Sequence, residues 1–414
     1  MNIWLITIGE PIPHLGNKLR LHRTGILAKQ ISESGKHEVT WWTSAFNHFT
    51  KEHIFEADTR VKVNDNLTMI ALKGMGYKRN ISIQRIKDHQ QITEKFIKYT
   101  KAELKPDILV VAFPTLGLCE AAILYGRQNN IPVLIDYRDM WPEVFVDILP
   151  LKLQKLGKLA LFHLFSKTRK VFSEATGIIG ITDQFLNIAL NKVSRKKNPS
   201  DGVFPLGYLE NQFTETELAE AMLYWQNKGL ANNVKRICFF GTIGYQFDLE
   251  TVINAAKLPN GRCYEFILCG TGDKVEELKK LNSGHSNIVF PGYMSASQIK
   301  ALMLISDYGI CPYIPKEAFL NSIPGKAIEY FSSGLPIITT LGAGTLGQFA
   351  TSQEIGVNYE AFNSESLINS LNNLDNIVSQ KMKLKILELY KANFSSETVY
   401  SKYLNHIEKV VNLF

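Results

Sequence analysis

Apolar positions in this chain come in short unbroken runs, separated by stretches in which apolar and polar residues alternate at helical spacing. MNIWLITIG (Met1–Gly9), HEVTWWTS (His37–Ser44), ILVVAF (Ile108–Phe113), PVLID (Pro132–Asp136) and TGIIGI (Thr176–Ile181) are the runs of the first half, with Arg20–Ser34 reading as a helix closed by Gly35. Such runs describe parallel strands covered by helices on both faces. The second half restarts with VKRICFFG (Val234–Gly241) and a helix over Leu249–Lys257. YEFILCG (Tyr264–Gly270), NIVFPG (Asn287–Gly292), DYGICP (Asp307–Pro312) and PIITT (Pro336–Thr340) follow. Between the halves lie the basic stretch Asn191–Asn198 and the breakers Pro199–Asp201, which mark a domain boundary nearby. The pattern predicts an α/β protein with two doubly wound, Rossmann-like domains at 1–205 and 206–394, their ligands in a cleft beyond the carboxyl ends of the strands. Residues 395–414 read as an amphipathic helix opened by a Ser cap, with Glu397 in its first turn.

A length of 414 residues suits two domains of about 200 each. Met1–Ile8 shows neither the basic start nor the cleavage site of a signal peptide, and the longest uncharged apolar run, Ile108–Cys119, falls short of a membrane span. The expected location is cytoplasmic. The five cysteines form no CxxC pair and the nine histidines no HExxH, so buried reduced thiols and no zinc site are expected. A net charge of +7 points to an anionic partner, and nothing resembles a nucleic-acid module.

The segment NSIPGKAIEYFSSGLPII (Asn321–Ile338) predicts a short, sharply bounded helix, with Pro324 at its first position and Gly334 and Pro336 as the stop. Lys326 and Glu329, three apart, share a face. Lys326 in the first turn suits a diphosphate, and Glu329 one turn on lies at about the distance from a phosphate to ribose hydroxyls, roughly 5 to 8 Å. An exposed ion pair on an ordinary helix is the other reading of the same two residues.

Taken in order, GTIG (Gly241–Gly244), CGTGD (Cys269–Asp273), FPGYMS (Phe290–Ser295), SDYGICPY (Ser306–Tyr313) and the IPGKAIEYFSSGLPII helix resemble the donor-nucleotide domain of family 4 glycosyltransferases. DYRDMWPE (Asp136–Glu143) resembles the DxRDxWP signature of the WbuB-like subgroup, which builds bacterial O-antigen and capsule. The resemblance runs over nearly the whole chain. It implies a GT-B architecture with the last helix crossing back to the N-terminal domain, a nucleotide-sugar donor, retention of anomeric configuration, and no cofactor or bound metal. Glu329 matches the second Glu of the family's E-x7-E motif, the one that holds ribose. Asn321 stands where the first is expected, with Glu317 nearby but out of register. GTIGYQFDLE (Gly241–Glu250) lacks the Arg and Lys that grip the diphosphate in many relatives. Lys326 is then the best cation for the leaving diphosphate, supported by N–H groups near Ser322–Gly325. Gly244, Gly270 and Gly272 are donor-facing by their place in the family order, although a glycine is also a common way out of a strand. Tyr293 either stacks on the base or covers a loop.

In the first half, Asp136, Arg138 and Asp139 sit at a strand end, where Asp139 suits an acceptor hydroxyl and Arg138 an acceptor phosphate; an internal Arg/Asp pair fits equally well. The loop Gly9–Arg20 either brings Gly16 to the donor phosphate and Arg20 to the acceptor, or is a plain loop. Ile148–Ser173 holds six basic residues, Lys152, Lys155, Lys158, Lys167, Arg169 and Lys170, and no acidic one. Interleaved with Leu and Phe, they suit an anionic membrane surface or an ordinary half-buried helix. The reading is a peripheral membrane enzyme passing a sugar from a UDP-sugar to a polyprenyl-diphosphate-linked saccharide. A nucleotide-sugar 2-epimerase and a non-catalytic nucleotide-sugar-binding protein are the alternatives.

Overall fold

Every residue of Ile108–Phe113 and of Val133–Tyr137 is buried, because both strands lie inside a sheet flanked by helices. The computed structural model describes residues 1–13, 20–230, 234–282 and 284–414. Its strands are β1 (Asn2–Ile6), β2 (Glu38–Ser44), β3 (Phe46–Asn47), β4 (Glu52–His53), β5 (Thr59–Asn64), β6 (Leu67–Leu72), β7 (Ile108–Phe113), β8 (Val133–Tyr137), β9 (Gly177–Gly180) and β10 (Gly202–Val203). They continue with β11 (Lys235–Phe240), β12 (Tyr264–Cys269), β13 (Ile288–Gly292), β14 (Tyr308–Cys311), β15 (Ile337–Thr339) and β16 (Gly356–Asn358). The first sheet has the order β10-β9-β8-β7-β1-β2-β6-β5 and the second β13-β12-β11-β14-β15-β16, while β3 and β4 form a small hairpin.

The second sheet is parallel throughout; the first is parallel except at its edge, where β5 runs antiparallel to β6. Thr59–Asn64 alternates partly buried and exposed positions, the signature of an edge strand covered on one face only. Two compact units result: Met1–Gly207 together with Ser396–Phe414, and Tyr208–Ser395.

The last helix, Ser396–Leu413, buries Val399, Tyr400, Tyr403, Ile407 and Val410 in the core of the first unit, beside Leu27, Ile31 and Trp41. Their spacing keeps one face inward, and each fully buried side chain of this size contributes about 1.5–3 kcal/mol. Tyr403 stacks on Phe204 with ring centroids 4.6 Å apart. Gln30 Nε2 donates to Ser401 Oγ at 2.7 Å and to the Glu397 carbonyl at 3.1 Å.

Four of the five cysteines are buried and unpaired, and Cys263 is exposed. Among the described residues, no helix is long and apolar enough to cross a membrane.

Candidate functional site

The helix carrying Lys326 and Glu329 spans Gly325–Phe331. It starts one residue later than the sequence predicts: Pro324, with ψ at 144°, is extended and caps the helix instead of opening it. Ala327, Ile328, Tyr330 and Phe331 face inward. Tyr330 fixes the register, since its hydroxyl donates to the Cys238 carbonyl at 2.8 Å and lies 3.3 Å from the Ile310 carbonyl, tying the helix to β11 and β14. Gly309 makes room for that ring, since a Cβ there would come within 2.4 Å of it. This anchoring residue has no signal in the sequence beyond its apolar spacing.

Anchored this way, the helix turns Lys326 toward the carboxyl end of β11. Its Nζ stands 4.0 Å from the centroid of the Phe239 ring, 5.0 Å from that of Phe240 and 5.1 Å from that of Phe247. On the fourth side is Gly241, where a Cβ would lie 2.8 Å from Nζ. No described carboxylate pairs with Lys326, so the sequence's alternative of an ordinary Lys326/Glu329 ion pair is not what forms. Burial lowers the ammonium pKa to about 8, against smaller upward pulls from Cys311 and Glu329. Among the described residues this ammonium meets aromatic faces and no carboxylate partner. Glu329, 9% exposed, lies within electrostatic reach of it.

The loops after β11 and β12 meet backbone to backbone beside this lysine. Ile243 N–H donates to the Thr271 carbonyl at 2.8 Å, and Gly270 N–H to that of Gly292 at 2.7 Å. Gly270 has φ at 141°, and a Cβ there would lie 1.8 Å from the Gly241 carbonyl oxygen, so the close approach requires glycine. Gly272 lies against Ile243 in the same contact, and Gly244 packs on Gln246. Their packing is thus enough to account for these glycines. Tyr293 is 79% exposed, a ring open to solvent. The space beside Gly325 is open, while Ser322 Oγ donates to the Phe319 carbonyl at 3.3 Å. Asn321 Nδ2 donates to Glu317 Oε2 at 3.0 Å. Glu317, out of register in the sequence, is therefore brought beside Asn321 in space.

In the first unit, Asp136 is fully buried, with Arg23 Nε at 2.9 Å and Arg138 Nη2 at 2.7 Å. Burial alone would push the Asp136 carboxyl up, but Arg138 and Arg23 outweigh it and hold the carboxyl below its usual range. Arg138 also pairs with Glu10 and donates to Thr24 Oγ1 at 2.8 Å. Arg23 donates to the Pro205 carbonyl at 2.7 Å and stands 5.2 Å from the centroid of the Tyr403 ring. Arg138, expected to meet an acceptor phosphate, has its guanidinium in an internal network, the arrangement of the sequence's other reading. Arg23, which the sequence did not single out, joins β8, the end of the first unit and the last helix. Asp139 is exposed at the end of β8; the packed protein around it raises its carboxyl pKa against pulls from Met140 N–H and Arg85. Arg20 is exposed, close enough to His22 to disfavour its protonation. Gly16 lies outside the described residues.

Ile148–Ser173 is broken into short pieces, Leu151–Leu153, Gln154–Ala160 and Phe162–Glu174. The first two bury none of their residues; Leu151 is 85% and Leu159 72% exposed. The half-buried helix of the alternative reading is confined to the third piece, where Thr168, Val171 and Phe172 face inward.

Residues 234–375, most of the second unit, match the family model for glycosyl transferases group 1. Over nearly its whole length the chain is similar in structure to the Anabaena protein HepE in complex with UDP, at 13% identity and a TM-score of 0.64, covering 99% of each chain. An E. coli trehalose-6-phosphate protein bound with UDP-2-fluoro glucose gives 11% identity and a TM-score of 0.68 over 99% of each chain. WaaG, a glycosyltransferase involved in lipopolysaccharide biosynthesis, gives 14% identity and 0.62 over 97% of this chain and 98% of that one.

The fold is GT-B.

No curated protein matches the sequence. At such identities the structural likeness concerns architecture: two Rossmann-like units, with the C-terminal helix packed on the first. Within this GT-B chain, Lys326 and Glu329 lie in the segment that the family model covers, and Asp139 and Arg138 do not.

Proposed function

We propose that the protein is a retaining glycosyltransferase that moves a sugar from a nucleoside diphosphate, UDP in the first instance, to a lipid-linked saccharide acceptor of a bacterial surface glycan. The observation that carries this reading is the Lys326 ammonium at the carboxyl end of β11, one turn before Glu329 and without a carboxylate partner among the described residues. The glycosyl transferases group 1 match over the same residues, and the UDP and UDP-sugar named for the similar structures, support a nucleotide-sugar donor.

In this reading Lys326 meets the diphosphate. As the glycosidic bond breaks, negative charge grows on the leaving phosphate, and a partly buried ammonium already fixed in place stabilises it more than it stabilises the ground state. Glu329 accepts from the ribose hydroxyls. Glu317, oriented by Asn321, supplies toward the sugar the carboxylate that the sequence lacks at position 321. A leaving-phosphate oxygen takes the acceptor proton, with Asp139 as the second choice of base. No resident metal or cofactor enters the reaction.

The exposed Leu151–Phe162 stretch, bearing Lys152, Lys155 and Lys158, suits peripheral contact with an anionic membrane in which such an acceptor resides.

The test is purified protein with a panel of UDP-sugars, with and without membrane lipid extract, following UDP release and product mass. Release that depends on the extract supports transfer. Interconversion of the sugar without acceptor would make the protein an epimerase, and binding without turnover a nucleotide-sugar-binding protein.

A further inference from the structure

We propose that the first unit carries an anion site for a phosphate or diphosphate group, formed by Lys51 and Arg85 around Tyr77 and Asn80. It deepens the reading of a diphosphate-linked acceptor and rests on that reading only for the ligand's origin.

Lys51 sits in the turn between β3 and β4 with φ at 64°, a left-handed conformation that a lysine rarely adopts. Its Nζ stands 5.0 Å from the centroid of the Tyr77 ring and donates to Asn80 Oδ1 and the His48 carbonyl. Arg85 comes from the first turn of the helix Ile83–Tyr99; its guanidinium carbon is 5.6 Å from the Tyr77 centroid and 5.7 Å from that of Trp141, and Nη1 donates to the Asn80 carbonyl at 2.8 Å. Two cations therefore share one ring and one asparagine. Neither makes an ion pair among the described residues.

The two histidines beside them are held neutral. His48 donates to or accepts from the Tyr77 hydroxyl at 2.6 Å, and burial, then Lys51 and Arg85, lower its pKa to about 4. His89, 3.4 Å from Arg85 Nε, is lowered to about 3 by burial and then by Arg85 and His48. Two carboxylates lie within electrostatic reach of Arg85. Asp88 is buried, accepts from Gly76 N–H at 2.8 Å, and is itself pushed up by burial; Asp139 is exposed. Lys51 is lowered by burial and then by Arg85. A planar guanidinium fork beside a compact ammonium is a donor set that phosphate oxygens satisfy.

Close to Arg85 in sequence, Ile81, Ile83 and Ile86 are each more than two-thirds exposed, at 68%, 73% and 67%. Apolar side chains flanking an anion site match a phosphate that carries a hydrocarbon chain better than a free one. Asp139, within electrostatic reach of Arg85, is then an exposed carboxylate close to that phosphate.

Calorimetry with saturating UDP, which fills the donor site, tests the proposal with two probes, inorganic pyrophosphate and farnesyl diphosphate. Both are expected to bind, the farnesyl probe more tightly. Arg85→Gln and Lys51→Gln each weaken them at least tenfold without changing UDP affinity, and Lys51→Arg retains binding. Equal affinities would support the site with a free phosphate as its ligand. In the unmutated protein, pyrophosphate added over UDP moves the His48 imidazole resonances. No binding of either probe, binding indifferent to Arg85→Gln in folded protein, or an unmoved His48 would overturn the site. Binding that depends on Arg85 without transfer from any UDP-sugar would leave the site standing and sink the transferase reading.

Discussion

The Nζ of Lys326 lies 4.0 Å from the centroid of the Phe239 ring, and no described carboxylate is paired with it. A partly buried cation that meets ring faces and no carboxylate among the described residues is held charged at a cost to the fold. Removing it should therefore stabilise the fold. Lys326→Met is expected to raise unfolding stability by about 1–2 kcal/mol while lowering kcat at least a hundredfold, in keeping with the usual conflict between stability and function at such sites. Urea unfolding and steady-state kinetics on the same preparation check both. A variant that is active and less stable would contradict the role.

The same lysine sets a pH dependence. With its pKa lowered to about 8, Lys326 is charged below that pH and neutral above it in the free protein. A bound diphosphate raises the pKa, so UDP affinity is constant below about pH 8 and falls by up to tenfold per unit above it, with proton uptake on binding. Calorimetry in two buffers of different ionisation enthalpy reads that uptake. The contribution to stability runs the other way: between about 8 and the unfolded value of 10.5 the unfolded chain holds the extra proton, so this group's contribution rises with pH.

Glu329 is assigned to ribose, and the assignment predicts a pattern across two ligands. Glu329→Ala weakens UDP binding about tenfold, the cost of charged hydrogen bonds, and makes the protein indifferent to loss of the ribose 2′-hydroxyl. Unmutated protein distinguishes UDP from 2′-deoxy-UDP. Equal UDP affinity in a folded variant would remove Glu329 from the site.

The buried trio of Arg23, Asp136 and Arg138 predicts a structural effect. Arg23→Met leaves the buried Asp136 carboxylate short of a partner and is expected to cost about 3–5 kcal/mol. Because the folded-state pKa of Asp136 is depressed, the stability it contributes is present above its ordinary value of 3.8 and is lost as pH falls through the folded value. Chemical denaturation of Arg23→Met at neutral pH measures the cost; a change under 1 kcal/mol would contradict it.

Flotation with vesicles tests the exposed segment. Leu151→Ser combined with Leu159→Ser should abolish flotation with anionic vesicles, and added salt should weaken it in the unmutated protein. Flotation equal on neutral and anionic vesicles would rule out the electrostatic part.

Much of the fold was legible because fully buried strands need unbroken apolar runs, and Ile108–Phe113 and Leu249–Lys257 are found where the runs placed them. The edge strand β5 escaped notice: TRVKVN is short, polar on alternate positions and paired antiparallel, so it carries little of the signal that marked the interior strands. At the candidate site, helical spacing put Lys326 and Glu329 on one face, and the order of the motifs before them made the pair a donor-site candidate. That Lys326 stands among Phe239, Phe240 and Phe247 could not, since two of these rings come from β11 and the third from the loop after it, far away in sequence.

By itself, then, the sequence determined the alternation of strands and helices, the short helix after Pro324 and the residues that share its face, because these depend on local periodicity and backbone chemistry. Tertiary structure decided which charges are answered and which are not. It buries Arg23 and Arg138 against Asp136, yet leaves Lys326, and the Lys51 and Arg85 pair, among rings without an ion-pair partner among the described residues. Whether a charge is paired depends on groups brought together from distant segments, and on how much water their packing excludes.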